Sequence, residues 1–517
     1  MTREGVSVVN NFACIASRTR CARPLSPTPL PQAGEGKTVG TLALTFFTLL
    51  ALPLAASAHG FGRLYNLPVP FWLYGWGAAA ALVLSFLLVA VFAASPKDST
   101  PTMSRDITNA RWVRALHSSL PLLKTLSVAL LLLCIATALF GNRDPYRNLS
   151  MTFFWVVFLL GFTYLTAFVG NVFGLLNPWR VMADALGHRF TQGRLRYPPG
   201  LGDWTAFALY LGFIWFELFG LGRPGQLGQV LLGYTLLNFF GVWLVGSAHW
   251  FRHCELFSVF LRLVALHSPF VRQAQGLLHL RKPLAGLIHE RPAHIATVVF
   301  ALAMLSTTAF DGLRATQWWV HLFWNDPTGL VTTLAGVRPM SAIATLRSWY
   351  VGWETFWLLA SPFLYFAAYI ACIALAKSLT RSSRSLRELA LDFGYSLLPI
   401  ALVYHATHYA TLMLTQGLKI ISLASDPFGW GWNLFGTAML WRAPILPGMG
   451  LVWHTQVGLI LVGHIASVVV AHRIALRVFP TRRAALLSQL PLLGFMVLLT
   501  VAGLWIIAQP LTVERMR

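Results

Sequence analysis

Seven ionisable side chains sit inside apolar stretches of this chain: Glu217, Asp311, Glu354, His405, His408, His454 and His464. At bilayer depth each costs roughly 2.5–3.5 kcal/mol to insert, which makes every one a candidate for function. His405-Ala-Thr-His408 is an i, i+3 pair, so both rings leave one helix face and could bind one ion. His454 and His464 stand some 15 Å apart along a helix, so at most one joins that pair, and His464 matches its depth better. With Asp311, Glu217 and Glu354 nearby, two imidazoles would suit a borderline divalent ion, zinc foremost, with water in an open position. Such an ion brings the pKa of bound water towards ~7 and supplies hydroxide at neutral pH. The plainer expectation for any one histidine is a hydrogen bond to a Ser, Thr or carbonyl of a neighbouring helix. Glu217 and Glu354 could simply snorkel to an interface, and Asp311 could start a turn with Gly312.

An all-α polytopic transmembrane bundle must hold these residues. The 517 residues are 56% hydrophobic and 11% charged, against about a quarter charged in a soluble domain. Apolar spans are expected near 69–94, 120–140, 151–176, 204–221, 227–250, 292–313, 350–376, 391–416, 451–472 and 485–508, each close to the ~20 residues that cross a bilayer. The net charge of +22 is scattered over short loops rather than gathered in a patch, which argues against a nucleic-acid partner. It reads as topology: five alternate loops carry 22 Lys and Arg, the opposite segments 11. That bias places the seven residues in the outer half of a bacterial inner-membrane protein, facing the periplasm. The piece 251–268, apolar but holding Arg252 and Arg262, is expected as an interfacial helix.

The front of the chain divides into a Pro- and Ser-rich leader at 1–36, expected to be disordered, and a signal peptide at 37–58. Lys37, an apolar run and Ala56-Ser57-Ala58 supply the order of a cleavable signal. The rest, 59–517, reads as one transmembrane domain. Cleavage would leave His59 as an amino-terminal metal chelator, a weak expectation for a lone imidazole. His249, His253 and Glu255 face the other side of the membrane beside Trp250, and read as an interfacial belt. The five cysteines show no paired spacing. His289-Glu-Arg-Pro-Ala-His294 has one residue and one proline too many for a zincin helix. Trp318-Trp-Val-His-Leu-Phe-Trp324 and Ser425-Asp-Pro-Phe-Gly-Trp-Gly-Trp432 make aromatic outer loops. An apolar vestibule of this kind suits a hydrophobic small molecule arriving from the bilayer or the periplasm.

Several segments together resemble a known family. They are Ala58-His-Gly, Leu67-Pro-Val-Pro-Phe-Trp-Leu-Tyr74, Asn177-Pro-Trp-Arg180, Phe310-Asp-Gly-Leu313, Ser425-Asp-Pro-Phe-Gly429, Phe435-Gly-Thr437 and the Gln456 to His472 span. The chain resembles, over 58–508, bacterial polytopic membrane proteins described as fenitrothion hydrolase, an organophosphorus triester hydrolase. The resemblance implies hydrolysis of a hydrophobic triester and favours Glu217, Asp311, His408 and His464 over His405 and His454. Metal-bound hydroxide would attack phosphorus while an aryloxide leaves, with a carboxylate as proton acceptor. A second reading of the same residues is metal or proton transport, and a third is haem held by His408 and His464. The sequence supports transport poorly, for it shows no inverted repeat and no polar path through the inner half of the bundle.

Overall fold

A computed structural model describes residues 70–92, 104–220, 222–273, 276–440 and 448–509. The leader, the signal segment and His59 lie outside the described residues.

The chain is an all-α polytopic bundle. Among the described residues it has ten long helices: α1 (Phe71–Phe92), α2 (Arg111–Phe140), α3 (Leu149–Val169), α4 (Trp204–Phe219) and α5 (Pro224–Val245), followed by α6 (Ile295–Arg314), α7 (Ile343–Thr380), α8 (Leu398–Gln416), α9 (Met449–Val478) and α10 (Arg482–Ala508). Eight of these are long and apolar enough to cross a membrane. The two that fall short are α4, with 16 residues, and α8, whose 19 residues include Tyr404, His405, His408 and Tyr409. The expected spans at 204–221 and 391–416 therefore exist as helices; α4 falls short by length, and α8 by the polar side chains it carries. By contrast α7 runs for 38 residues, about 57 Å at 1.5 Å per residue, well beyond the hydrocarbon thickness.

Helix α6 is the hub, with 89% of its most apolar stretch buried. Helices α4, α7, α8 and α10 pack against it, and α9 packs against α8, α10 and α1. A helix enclosed by others can point a carboxylate inward without meeting lipid, which is the position Asp311 takes near its end. Asn148 ties α2 to α3: its side chain accepts from the Ser150 amide and donates to the carbonyls of Thr137 and Asn142. Within α3 the stretch Thr152–Phe162 is π-helical, a widened turn that recurs at functional sites.

The segment expected to lie at the interface is instead core. Every residue from Leu256 to Ser268 except Arg262 is buried. Glu255 caps the helix Leu256–Val264 by accepting from the amides of Phe257 and Ser258, and it also accepts hydrogen bonds from Asn177 and Tyr234. A carboxylate with four donors can be buried, and that permits the apolar helix behind it to enter the bundle. Three short strands, β1 (Arg105–Asp106), β2 (Phe270–Arg272) and β3 (Leu278–Leu280), form one antiparallel sheet in the order β1-β3-β2.

Candidate active site

Four helices deliver the polar residues of the site. Asp311 stands on α6 and Glu217 on α4, while His405, His408 and Tyr409 come from α8 and Tyr164 from α3. The His408 imidazole donates from Nε2 to Asp311 Oδ2 at 2.8 Å. Tyr409 lies between the two carboxylates, its hydroxyl 3.1 Å from Glu217 Oε1 and 3.2 Å from Asp311 Oδ2. One phenol carries one proton, so Tyr409 serves the two carboxylates in turn or shares its hydrogen between them. Glu217, Tyr409, Asp311 and His408 thus form one hydrogen-bonded chain.

Two cavities meet on this chain. The larger, about 160 Å³, is lined mainly by apolar side chains such as Trp155, Leu159 and Phe216, with Glu217, Tyr409 and Arg223 as its polar residues. A dry apolar cavity of roughly 150 Å³ is known to hold one benzene ring, so this space accepts an aryl group. The smaller, about 30 Å³, lies among Glu217, Asp311, His405, Tyr409, Thr307 and Thr308. At roughly 10–15 Å³ per water it has room for about two. An apolar seat for a ligand and a wet acid–base pocket therefore share Glu217 and Tyr409.

The structure separates the other expected members. His405 and His408 leave neighbouring positions of α8 for different partners, His405 Nδ1 lying 3.1 Å from the Tyr164 hydroxyl. Glu354 belongs to another contact: it forms a two-pronged pair with Arg314, at 3.1 and 3.0 Å. Arg314 also donates to the Leu218 carbonyl and stacks over Phe219, so Glu354 holds the outer end of α6 rather than joining Glu217 and Asp311. His454 is exposed and hydrogen-bonds to its own helix at Gly450. His464 is buried, donates from Nδ1 to the Ile460 carbonyl at 2.8 Å, and makes no bond to His408 or Asp311. Among the described residues no three His, Cys, Asp or Glu side chains group to hold a metal ion. Asp311 Oδ2 already accepts from two donors, and the four histidines point to separate neighbours, so the residues as placed do not fit the zinc centre that spacing suggested.

No protein-family model, curated protein or solved structure matches this chain.

Tyr409, Tyr164 and Thr307 were missed from sequence. The signal for Tyr409 was its place at i+4 from His405 and next to His408, hidden because tyrosine in an apolar span is commonly an interfacial anchor. Away from this site, at the start of α4, His253 bonds to Asp203 at 2.8 Å, and Asp203 also meets Arg262 and Thr297. Burial pushes the Asp203 carboxyl up, but His253, Arg262 and Thr297 together hold it below the usual carboxylate range. His253 and Glu255 are thus tied into the core, while His249 remains exposed as expected of a belt residue.

Proposed function

We propose that this chain is a hydrolase embedded in the bacterial inner membrane, with its site in the periplasmic half and hydrophobic phosphorus triesters as its substrate class. The substrate class comes from the sequence resemblance. The single observation that supports hydrolysis is the Glu217–Tyr409–Asp311–His408 chain at the wall of a ring-sized apolar cavity. The aryl group sits against Trp155 and Phe216, which brings phosphorus towards Glu217. A water in the smaller cavity attacks phosphorus while Glu217 takes its proton. The bond from phosphorus to the aryl oxygen breaks, and the aryloxide departs with the electron pair. Tyr409 keeps its hydrogen bond to the two carboxylates and so holds Glu217 on the water, and His408 fixes Asp311 so that the phenol stays aimed. No step needs a metal, since the carboxylates themselves supply the base.

Membranes holding the full chain should release nitrophenol from a nitroaryl triester. Glu217→Gln should lower kcat by about 100-fold, within the range of a lost general base, and a chelator should leave the rate unchanged. Absence of turnover by the wild-type chain overturns hydrolysis and returns the site to metal or proton handling. Chelator-sensitive turnover retains hydrolysis and replaces the base proposed here.

A further inference from the structure

Eleven buried side-chain polar atoms have no partner among the described residues, and four of them belong to α8 and α9 beside the candidate active site: Tyr404 Oη, His464 Nε2, Ser467 Oγ and His472 Nε2. Each of these four residues is at most 4% exposed. Native proteins rarely leave such atoms bare, and several in one place call for a common cause. Tyr404 stands on α8, and His464, Ser467 and His472 follow one another along α9. Tyr404 is one turn from His408 on α8, and its ring edge is 2.8 Å from where a Cβ on Gly503 of α10 would stand. Gly463 lies so close to Val403 that no side chain fits between α9 and α8, and Tyr404 and His464 each directly follow a residue of that contact. One turn outward, Gln456 donates to the Thr407 carbonyl at 2.9 Å and closes the same contact.

From this contact α9 carries the polar groups inward. Ser467 is about 4.5 Å further along the axis than His464, and His472 about 7.5 Å beyond that, at 1.5 Å per residue. Hydroxyls in membrane helices commonly bond back to their own carbonyls. Thr407 on α8 and Ser488 and Thr500 on α10 do so, whereas Ser467 does not. Both histidines spend Nδ1 on a carbonyl-type oxygen, His464 on Ile460 and His472 on Gln489 Oε1. The proton must therefore sit on Nδ1, which leaves Nε2 of each as a lone pair able to take and return a proton. The charged neighbours are Asp311 near Tyr404 at the outer end, and Arg473 and Arg482 near His472 at the inner end.

We infer that the seam between α8, α9 and α10 is a proton path, running from Asp311–His408 through Tyr404, His464 and Ser467 to His472 at the inner face. Waters bridge the gaps, one or two per step, and the proton moves by transfer along their hydrogen bonds. This supplies the inner-half polar route that the sequence did not show. It stands apart from the hydrolytic reading, because it needs Asp311–His408 only as a proton donor or acceptor.

The test is potential-driven proton uptake by vesicles reconstituted with the full chain, read by an internal pH dye under a potassium diffusion potential. Wild-type vesicles should acidify faster than protein-free ones, and His464→Phe should cut the excess rate by about tenfold, as expected where an ionisable relay is lost from bilayer depth. Ser467→Val, a smaller change to packing, should cut it several-fold and leave nitrophenol release intact. Wild-type rates no higher than protein-free vesicles overturn the path, as does a Ser467→Val protein that conducts like wild type. Nitrophenol release measured on the same preparations reports on hydrolysis separately.

Discussion

Tyr409 is the residue on which the site depends, because it alone touches both carboxylates. Tyr409→Phe keeps the ring and removes the shared proton donor. The expected loss in nitrophenol release is about 10–100-fold in kcat, with a smaller change in KM, which steady-state kinetics on membranes will separate. His408→Ala acts at one remove: Asp311 loses one of its two donors, and a drop of about tenfold is expected. At this scale the sequence was legible where charge was at stake. Glu217, Asp311 and His408 are expensive in an apolar span, so they announce themselves. Tyr409 is not expensive there, and nothing in composition marks it. His464 illustrates a second limit. Counting residues along α9 yields a depth, but depth says nothing about rotation about the helix axis, and its ring bonds to Ile460 on its own helix.

At the level of elements, position is set by close helix contact. Gly463 is the clearest case, since any Cβ there would strike the stiff, branched Val403. Gly463→Ala should destabilise the protein by about 1–3 kcal/mol through overpacking, seen as a lower thermal midpoint in detergent. Asp203 carries a pH dependence. A carboxyl whose folded value lies below its unfolded one contributes stability that is present above the unfolded value and lost as pH falls through the folded one. The wild-type thermal midpoint should therefore fall below about pH 4 more steeply than that of Asp203→Asn. The helix at Leu256–Val264 shows why elements are harder to read than residues. Arg252 and Arg262 made it look interfacial. Arg252 stays exposed, however, Arg262 reaches Asp203, and Glu255 is met by Asn177 and Tyr234 besides the amides of its own helix, so part of the charge that forbade burial is matched by partners far away in sequence. Apolar length predicted the helices; pairing of that kind cannot be seen without the fold.

Across the whole molecule, the architecture places a protonatable chain in a bundle whose hub helix is almost wholly enclosed. The ten helices followed from hydropathy and length, and the basic bias of alternate loops predicts their direction. A cysteine introduced for Thr328, an exposed residue beyond the end of α6, should react with an impermeant maleimide from the outer side, and one for Asn109, before α2, should not. The reverse pattern would turn the site to face the other compartment. The central claim is that Glu217 and Tyr409 act as one unit on the same substrate. A double-mutant cycle on kcat for nitrophenol release tests it most directly. If the two form one acid–base chain, the Glu217→Gln, Tyr409→Phe double variant should be little slower than Glu217→Gln alone, a coupling of at least ~1 kcal/mol. Losses that multiply independently would contradict it.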